Sequence, residues 1–368
     1  DLLERSFNEI IQRHEVLRTT FLIKNGQPIQ VISPDLTIAV PVVDLQHLPE
    51  KKQSDEVQQL AAEEAQCPFD LIKGPLLRVT LIRTNEENHV MLMTMHHIVS
   101  DGWSMGVMRR ELAALYGAII TNQPSPLPPL PIQYADFALW QREWLSGAVL
   151  EQQLTYWRQQ LTDLASLELP TDRTRPPVQT YAGASHSFIL SPSLKDALLK
   201  LSRQAGVTLA ITLLAAFKVL LARYTGQTDL AVGSPIANRN RQEIEGLVGF
   251  FVNSLVMRTN LSGDPTFLEV IARVQEVALG AYDHQDLPFE RLVEELQPER
   301  NPNRNPLFQV MFAVQNAPFE EFTLPGVTVQ PFSAEIRTTR FDLESYVWER
   351  DKGLQVLFVY NTDLYDAA

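Results

Sequence analysis

Residues 93–106 read MTMHHIVSDGWSMG. Two histidines, His96 and His97, close an apolar run, Asp101 stands four residues beyond the second, and Gly102 follows it. Upstream, LLRVTLIR (76–83) and HVMLMTM (89–95) read as two strands joined by the polar turn NEEN. Downstream, from about Trp103, the apolar positions Met108, Leu112, Leu115 and Ile119 fall on one helical stripe. The histidines therefore sit where a strand gives way to a helix, and there an imidazole projects beyond the sheet.

A histidine pair at a strand end is often structural, its ring nitrogens satisfied by the backbone. The functional reading rests on imidazole chemistry, since an ordinary pKa of about 6.5 allows proton exchange near neutrality. No serine or cysteine nucleophile is joined to His97 by a local motif. The economical mechanism is direct transfer, with His97 holding or deprotonating an acceptor that attacks an acyl donor. A glycine at 102 lets the backbone turn sharply. GxGxxG, GxxxxGK[ST] and GxSxG do not occur. RHEVLR (13–18) begins like a zinc-protease HExxH but carries Arg18 at the second ligand position, and adjacent histidines diverge, so no metal is expected.

The chain has 368 residues, 45% apolar and 20% charged, enough for two domains. A net charge of −13 argues against a nucleic-acid or anionic-membrane surface. The single cysteine, Cys67, points to a reducing, cytoplasmic setting. The opening DLLERSFNEIIQRHEVLR is charged from the start and does not read as a signal peptide. The longest apolar stretch, 207–224, contains Lys218 and reads as a protein-buried helix rather than a membrane span. Proline-rich stretches occupy 121–131 and 169–180, and the second is the expected boundary between domains 1–172 and 173–368. In the second domain SHSFIL, DLAVGSPIA, GFFVNSLVMR, LFQVMFAVQ, EIRTTRFDLESYVWE and LQVLFVY read as strands, and 194–205, 207–224 and 266–282 as helices. Both halves mix the two, so the fold class is α/β (α+β).

Motifs spread along the chain carry a resemblance. MHHIVSDGWS (95–104), RHEVLRTTF (13–21), YADFALWQ (134–141), VGFFVNSLVMR (248–258), HQDLPFERLVEEL (284–296) and RFDLES (340–345) resemble, in order, the signature segments of nonribosomal peptide synthetase condensation domains. These domains are relatives of the chloramphenicol-acetyltransferase-like acyltransferases. Ser254 stands where threonine is usual. The family's first motif and closing helix are absent, so the sequence reads as a fragment.

The resemblance implies two chloramphenicol-acetyltransferase-like lobes in a V-shaped pseudodimer, with a tunnel between them. It implies upstream and downstream peptidyl carrier domains, an adjacent adenylation domain, and 4′-phosphopantetheine held by the carriers, with no intrinsic cofactor. The catalytic set would be His97, Asp101 and Gly102, the Gly102 amide contacting the oxyanion. Asp101 would form an ion pair with Arg239, with Arg241 as competitor. His96 would be structural, its ring buried against the strand, and Asn253 would support the site. Arg13, Trp103 and Ser104 are candidate tunnel residues. DGWS and FVN fit the subtype joining an L-configured donor to an L-configured acceptor. The rival readings are an epimerisation domain, a coenzyme A acyltransferase, and a non-catalytic recruitment module of the same fold.

Overall fold

The pattern LLERSFNEIIQR winds into α1 (Leu2–Arg13), whose buried face is Phe7, Ile10 and Ile11. A computed structural model describes residues 1–298, 301–315, 322–332 and 337–367. After α1 come β1 (Thr19–Lys24) and β2 (Gln27–Ile32), an antiparallel hairpin turning at Asn25–Gly26, both with positive φ. β3 (Val42–Asp44), α2 (Glu50–Gln66), β4 (Leu77–Arg83) and β5 (His89–Met95) follow. They build a sheet ordered β3-β4-β5, with β3 parallel and β5 antiparallel to β4. α3 (Gly102–Ile120) lays Val107, Met108, Leu112 and Leu115 against α1 and β4 in one core. The proline-rich 121–131 is irregular, and α4 (Tyr134–Trp144) follows it.

The next elements are α5 (Gly147–Gln160), β6 (Gly183–Leu190), α6 (Pro192–Ala205), α7 (Leu209–Thr225) and β7 (Asp229–Ile236). Their ends obey capping chemistry. Ser191 and Thr208 accept the amides of Leu194 and Ile211, and Gly206 and Gly226 close the two helices at φ +68° and +70°. A short α8 (Gln242–Glu245) precedes β8 (Asn253–Asn260), α9 (Phe267–Asp283), α10 (Phe289–Leu296), β9 (Val310–Gln315), β10 (Leu343–Arg350) and β11 (Gly353–Asn361). The large sheet runs β6-β11-β10-β9-β7-β8. β9 lies parallel to β10 and β7, and the other pairs are antiparallel. The ring of Phe308 fills the place a side chain would take at Gly233, since a Cβ there would lie 2.1 Å from it.

Two compact units result. One comprises Asp1–Glu143, Arg239–Val252 and the described part of 318–335; the other comprises Trp144–Asn238 and the described parts of 253–317 and 336–368. This division differs from one at 172/173. The stretch 169–180 lies within the second unit, where the amides of Asp172 and Arg173 donate to the Leu364 carbonyl. Two expected strands are shorter than read by four residues or more. GFFV (249–252) is not in a strand, because side chains of the first unit take up its backbone groups. In EIRTTRFDLESYVWE the strand starts at Leu343, because the Glu344 carboxylate takes the Arg340 amide and the Thr339 hydroxyl. Glu335 and Ile336 of that reading lie outside the described residues.

Among the described residues no single helix is long and apolar enough to cross a membrane. α7 instead buries Leu214, Phe217 and Leu221 with Leu230, Val232, Val256 and Phe312 of the sheet. Lys218 is fully buried with them. Its Nζ donates to the carbonyls of Leu230 (3.3 Å) and Met257. Burial pulls its pKa down from 10.5 to about 7, opposed by the charge of Asp229.

Between these two values the unfolded chain holds a proton that the folded chain has released. Stability from this group therefore rises with pH across that window and is level below it. Urea unfolding from pH 6 to 10 should show wild type gaining on Lys218→Met above pH 7, at up to about 1.4 kcal/mol per pH unit. Parallel curves for the two proteins would rule out a depressed lysine pKa.

Candidate active site

β5 ends at Met95, and the His96 amide completes the ladder by donating to the Leu76 carbonyl. A single 3-10 turn, His97–Val99, then reverses the chain. His96 Nδ1 accepts the Ile98 amide at 3.0 Å. Its half-buried ring stands edge-on to Phe69 (centroids 5.9 Å apart) rather than buried against the strand. Burial, and then the neighbouring His97, lower the His96 pKa. His97 is exposed. Its ring meets Phe250 edge to face at 5.2 Å and 84°, and its nitrogens have no hydrogen-bond partner among the described residues. The pair thus divides into one engaged imidazole and one free one.

Asp101 caps α3 and is buried, with only 4% exposed. Its Oδ1 accepts the Ser104 amide (2.8 Å), lies 2.7 Å from the Ser104 hydroxyl, and receives Arg239 Nη2 at 3.1 Å. Oδ2 accepts the Phe251 amide at 3.0 Å. Both carboxylate oxygens of Asp101, grouped in the expected catalytic set with His97 and Gly102, are thus engaged inside the protein. Arg239 is buried too. Its Nη1 donates to the carbonyls of Ile244 (2.6 Å) and Leu247 (2.7 Å), and its guanidinium lies 4.1 Å from the Phe251 ring centroid. Burial draws its pKa down, and Asp101 opposes that pull. Arg241 does not compete, since it stacks on Trp140 at 4.3 Å.

Capping by Asp101 leaves Gly102 as the first residue of α3. Its amide has no partner among the described residues, and a Cβ built on it would meet nothing within 4 Å. Gly102 does not have a positive φ, so the sharp turn expected of it is absent. What the missing side chain provides is open space before a free N–H at a helix N-terminus.

The segment 247–251 is strapped down by side chains, which explains why it leaves the β8 ladder. Arg239 binds the Leu247 carbonyl, and His14 Nδ1 accepts the Val248 amide (3.3 Å). The Ser104 hydroxyl accepts the Gly249 amide (3.1 Å), Tyr134 donates to the Phe250 carbonyl (2.8 Å), and Asp101 accepts from Phe251. Gly249 must be glycine, because its Cβ would fall 2.4 Å from the Tyr134 ring. His14 is 1% exposed, and its Nε2 lies 2.8 Å from Glu111 Oε2. Burial pushes the Glu111 pKa up, but His14 and Arg13 outweigh it and hold the carboxyl below its ordinary value.

The remaining candidates occupy different settings. Ser104 is wholly buried and cannot line a substrate path. Arg13 is paired with Glu111 at 2.8 Å. Trp103 is exposed, with its indole N–H on the Glu245 carbonyl. Asn253 belongs to the second unit. There its amide group donates to the carbonyls of Gln285 and Leu287 (both 2.8 Å) and accepts the amides of Ser254 and Phe289, shaping the turn before α10. Sequence reasoning missed Phe250, His14, Glu111 and Tyr134 as parts of the site. One signal was available: Glu111 lies on the buried stripe of α3 between Met108 and Leu112.

Comparison with known proteins agrees with this geometry. The family model described as "Condensation domain" matches residues 1–368. A linear gramicidin synthase of Brevibacillus parabrevis is 52% identical over the whole chain, which spans 7% of that protein's length. Chondramide synthase cmdD of Chondromyces crocatus is 48% identical over the whole chain, which spans 9% of it. Among solved structures, the X-domain from teicoplanin biosynthesis matches the full chain at TM-score 0.91 and 30% identity, with 83% of that chain covered. The first condensation domain of the CDA synthetase matches it at TM-score 0.81 and 21% identity, also with 83% covered. The chain belongs to the condensation-domain family, the amide-forming acyltransferase domains of nonribosomal peptide synthetases.

Proposed function

We propose that this domain forms a peptide bond between two carrier-bound partners. An upstream peptidyl carrier domain presents an acyl or peptidyl thioester, and a downstream one presents an aminoacyl thioester. Each rides on 4′-phosphopantetheine, an adenylation domain lies adjacent, and the assembly works in the cytoplasm. The downstream amine attacks the upstream carbonyl, the C–N bond forms, and the C–S bond breaks. His97 accepts a hydrogen bond from the amine, takes the proton released as the bond forms, and returns it to the departing thiolate. An α-amine has a pKa of about 7.7–8.0, so part of it is already neutral near pH 7. Alignment therefore matters more than base strength, and favourable alignment alone lowers barriers by roughly 7–11 kcal/mol. The Gly102 amide faces the oxyanion, a donor of a kind worth about 2.7–4 kcal/mol. An L-configured donor and an L-configured acceptor fit DGWS (101–104) and FVN (251–253).

The observation that carries this reading is the exposed, unbonded imidazole of His97 together with the free first amide of α3, five residues along the chain. The relatives named as synthases of linear gramicidin and chondramide support the substrate class. A second reading, a recruitment module, draws on the likeness to the X-domain, which is also known in a complex with OxyB. His97 and Gly102 weigh against it, because neither is needed for packing.

The two readings diverge when the domain is incubated with both carriers loaded and the carrier-bound products are weighed by mass spectrometry. Amide on the downstream carrier is expected; binding without amide supports recruitment. His97→Ala should slow amide formation by about 10²–10⁴-fold with an unchanged melting temperature. Gly102→Ala should also fold normally, since its Cβ enters empty space. Its rate should nevertheless fall by roughly 10²-fold through a misplaced acyl group. Asp101→Ala should instead lower stability by roughly 3–5 kcal/mol, because it strands the buried Arg239. A stable Asp101→Ala protein with a selective loss of rate would assign that carboxylate to the chemistry.

A further inference from the structure

His14 is buried and bonded to the segment that carries Phe250. Phe250, the ring that meets His97, is carried on the strap 247–251. The side-chain bonds to Leu247, Gly249, Phe250 and Phe251 come from the Asp101 cluster and from Tyr134, and the bond to the Val248 amide, two residues before Phe250, comes from His14. His14 ends α1, with its backbone amide on the Ile10 carbonyl. Its Nδ1 accepts the Val248 amide, so Nδ1 carries no proton and Nε2 must carry one. Nε2 then donates to Glu111, whose other oxygen receives Arg13. Glu111 sits nine residues along the helix that Gly102 begins. One imidazole therefore ties the strap to the helix that carries the site.

We infer that His14 is a positioning residue for His97, acting through the Val248 amide to fix where the Phe250 ring meets the reacting imidazole. The inference rests on the condensation reading for its rate measurements, but the geometry it describes exists without substrate. Its two nitrogens do different work. The Nδ1 bond sets the strap, while the Nε2 bond only orients His14 itself. Two conservative variants separate them. Asparagine places an acceptor near Nδ1 and surrenders Glu111. Glutamine places a donor near Nε2 and surrenders Val248.

The test measures single-turnover amide formation with both carriers loaded at saturation, alongside melting temperature. His14→Asn should stay within a few-fold of wild type. His14→Gln should lose roughly 10- to 100-fold in rate, with the half-saturating carrier concentration unchanged. A merely structural histidine would make both variants lose stability and rate in parallel, and that parallel loss, or two unimpaired variants, overturns the inference. Phe250→Leu supplies a second arm. Adding His14→Gln to it should cost no further rate, whereas multiplying losses would mean the effect does not pass through Phe250. Should His14→Gln fail to fold, Phe250→Leu decides alone, and an unchanged rate there sinks the idea. If wild type makes no amide, the condensation reading fails by itself. The imidazole resonances of His97 in a nitrogen-15 histidine-labelled chain then judge the positioning: they should move in His14→Gln and hold in His14→Asn, and equal behaviour overturns it.

Discussion

The buried pairing of Asp101 with Arg239 is the constraint on which the first unit's architecture rests. A carboxylate and a guanidinium removed from water are expensive, and Coulomb attraction repays that only when the remaining hydrogen-bond positions are also filled. Here nearly all are. Asp101 receives two amides, a hydroxyl and the guanidinium, and Arg239 gives its other arm to two carbonyls. Only Arg239 Nε lacks a partner among these atoms. An apolar pair of similar volume would be no less stable by area alone, but it would fix nothing about register. The ionic pair binds residues 138 apart in sequence and accepts one alignment of the strap against α3.

That division of labour leaves His97 without a carboxylate partner among the described residues. Asp101, four residues away, is spent on structure, and the Glu111 carboxylate is taken up by His14 and Arg13. The site is thus unlike a charge-relay triad, where a buried acid orients the imidazole and stabilises its cation. For thioester aminolysis the difference is chemically reasonable. The nucleophile is an amine that is partly neutral already, and the leaving thiolate is stable enough to depart without a strong acid. A weakly tethered imidazole held by an aromatic edge can serve as hydrogen-bond acceptor and proton carrier without the basicity a serine nucleophile demands.

Much of the fold was legible in the sequence because its signals are local. The strand-turn-strand over 76–95, the stripe of α3, and the glycine-terminated helices α6 and α7 follow from periodicity and capping. The Asp101–Arg239 pair was legible only through the family resemblance. Other features were not legible, for a physical reason. GFFV reads as strand by composition, yet its backbone donors and acceptors go to Ser104, Tyr134 and Asp101, and the neighbouring Val248 amide to His14, all more than a hundred residues distant. No local pattern encodes such a partner. TTFLIK (19–24) does not announce itself as strand, because its exposed Lys24 and half-buried Thr20 and Phe21 show no clean alternation. His14 fails a zinc-ligand template at Arg18, and failure of one template says nothing about another use of the ring.

A folded scaffold and a competent site place different demands on a side chain, and burial separates them. Ser104, Asp101, Arg239 and His14 are each under a tenth exposed and bonded to several groups, so packing and hydrogen-bond satisfaction account for their identity. The same network would hold a domain that only recruits a partner. His97 and Gly102 are exposed, and neither side chain is required by a neighbour: His97 makes one ring contact that a leucine could replace, and alanine at 102 would clash with nothing. Alanine is also the better residue for a helix by about 0.8–1.0 kcal/mol in an interior position, less at the first turn. A histidine and a glycine at exposed positions that folding leaves free are explained by what approaches them. That asymmetry favours chemistry over recruitment, and it does so without appeal to any sequence motif.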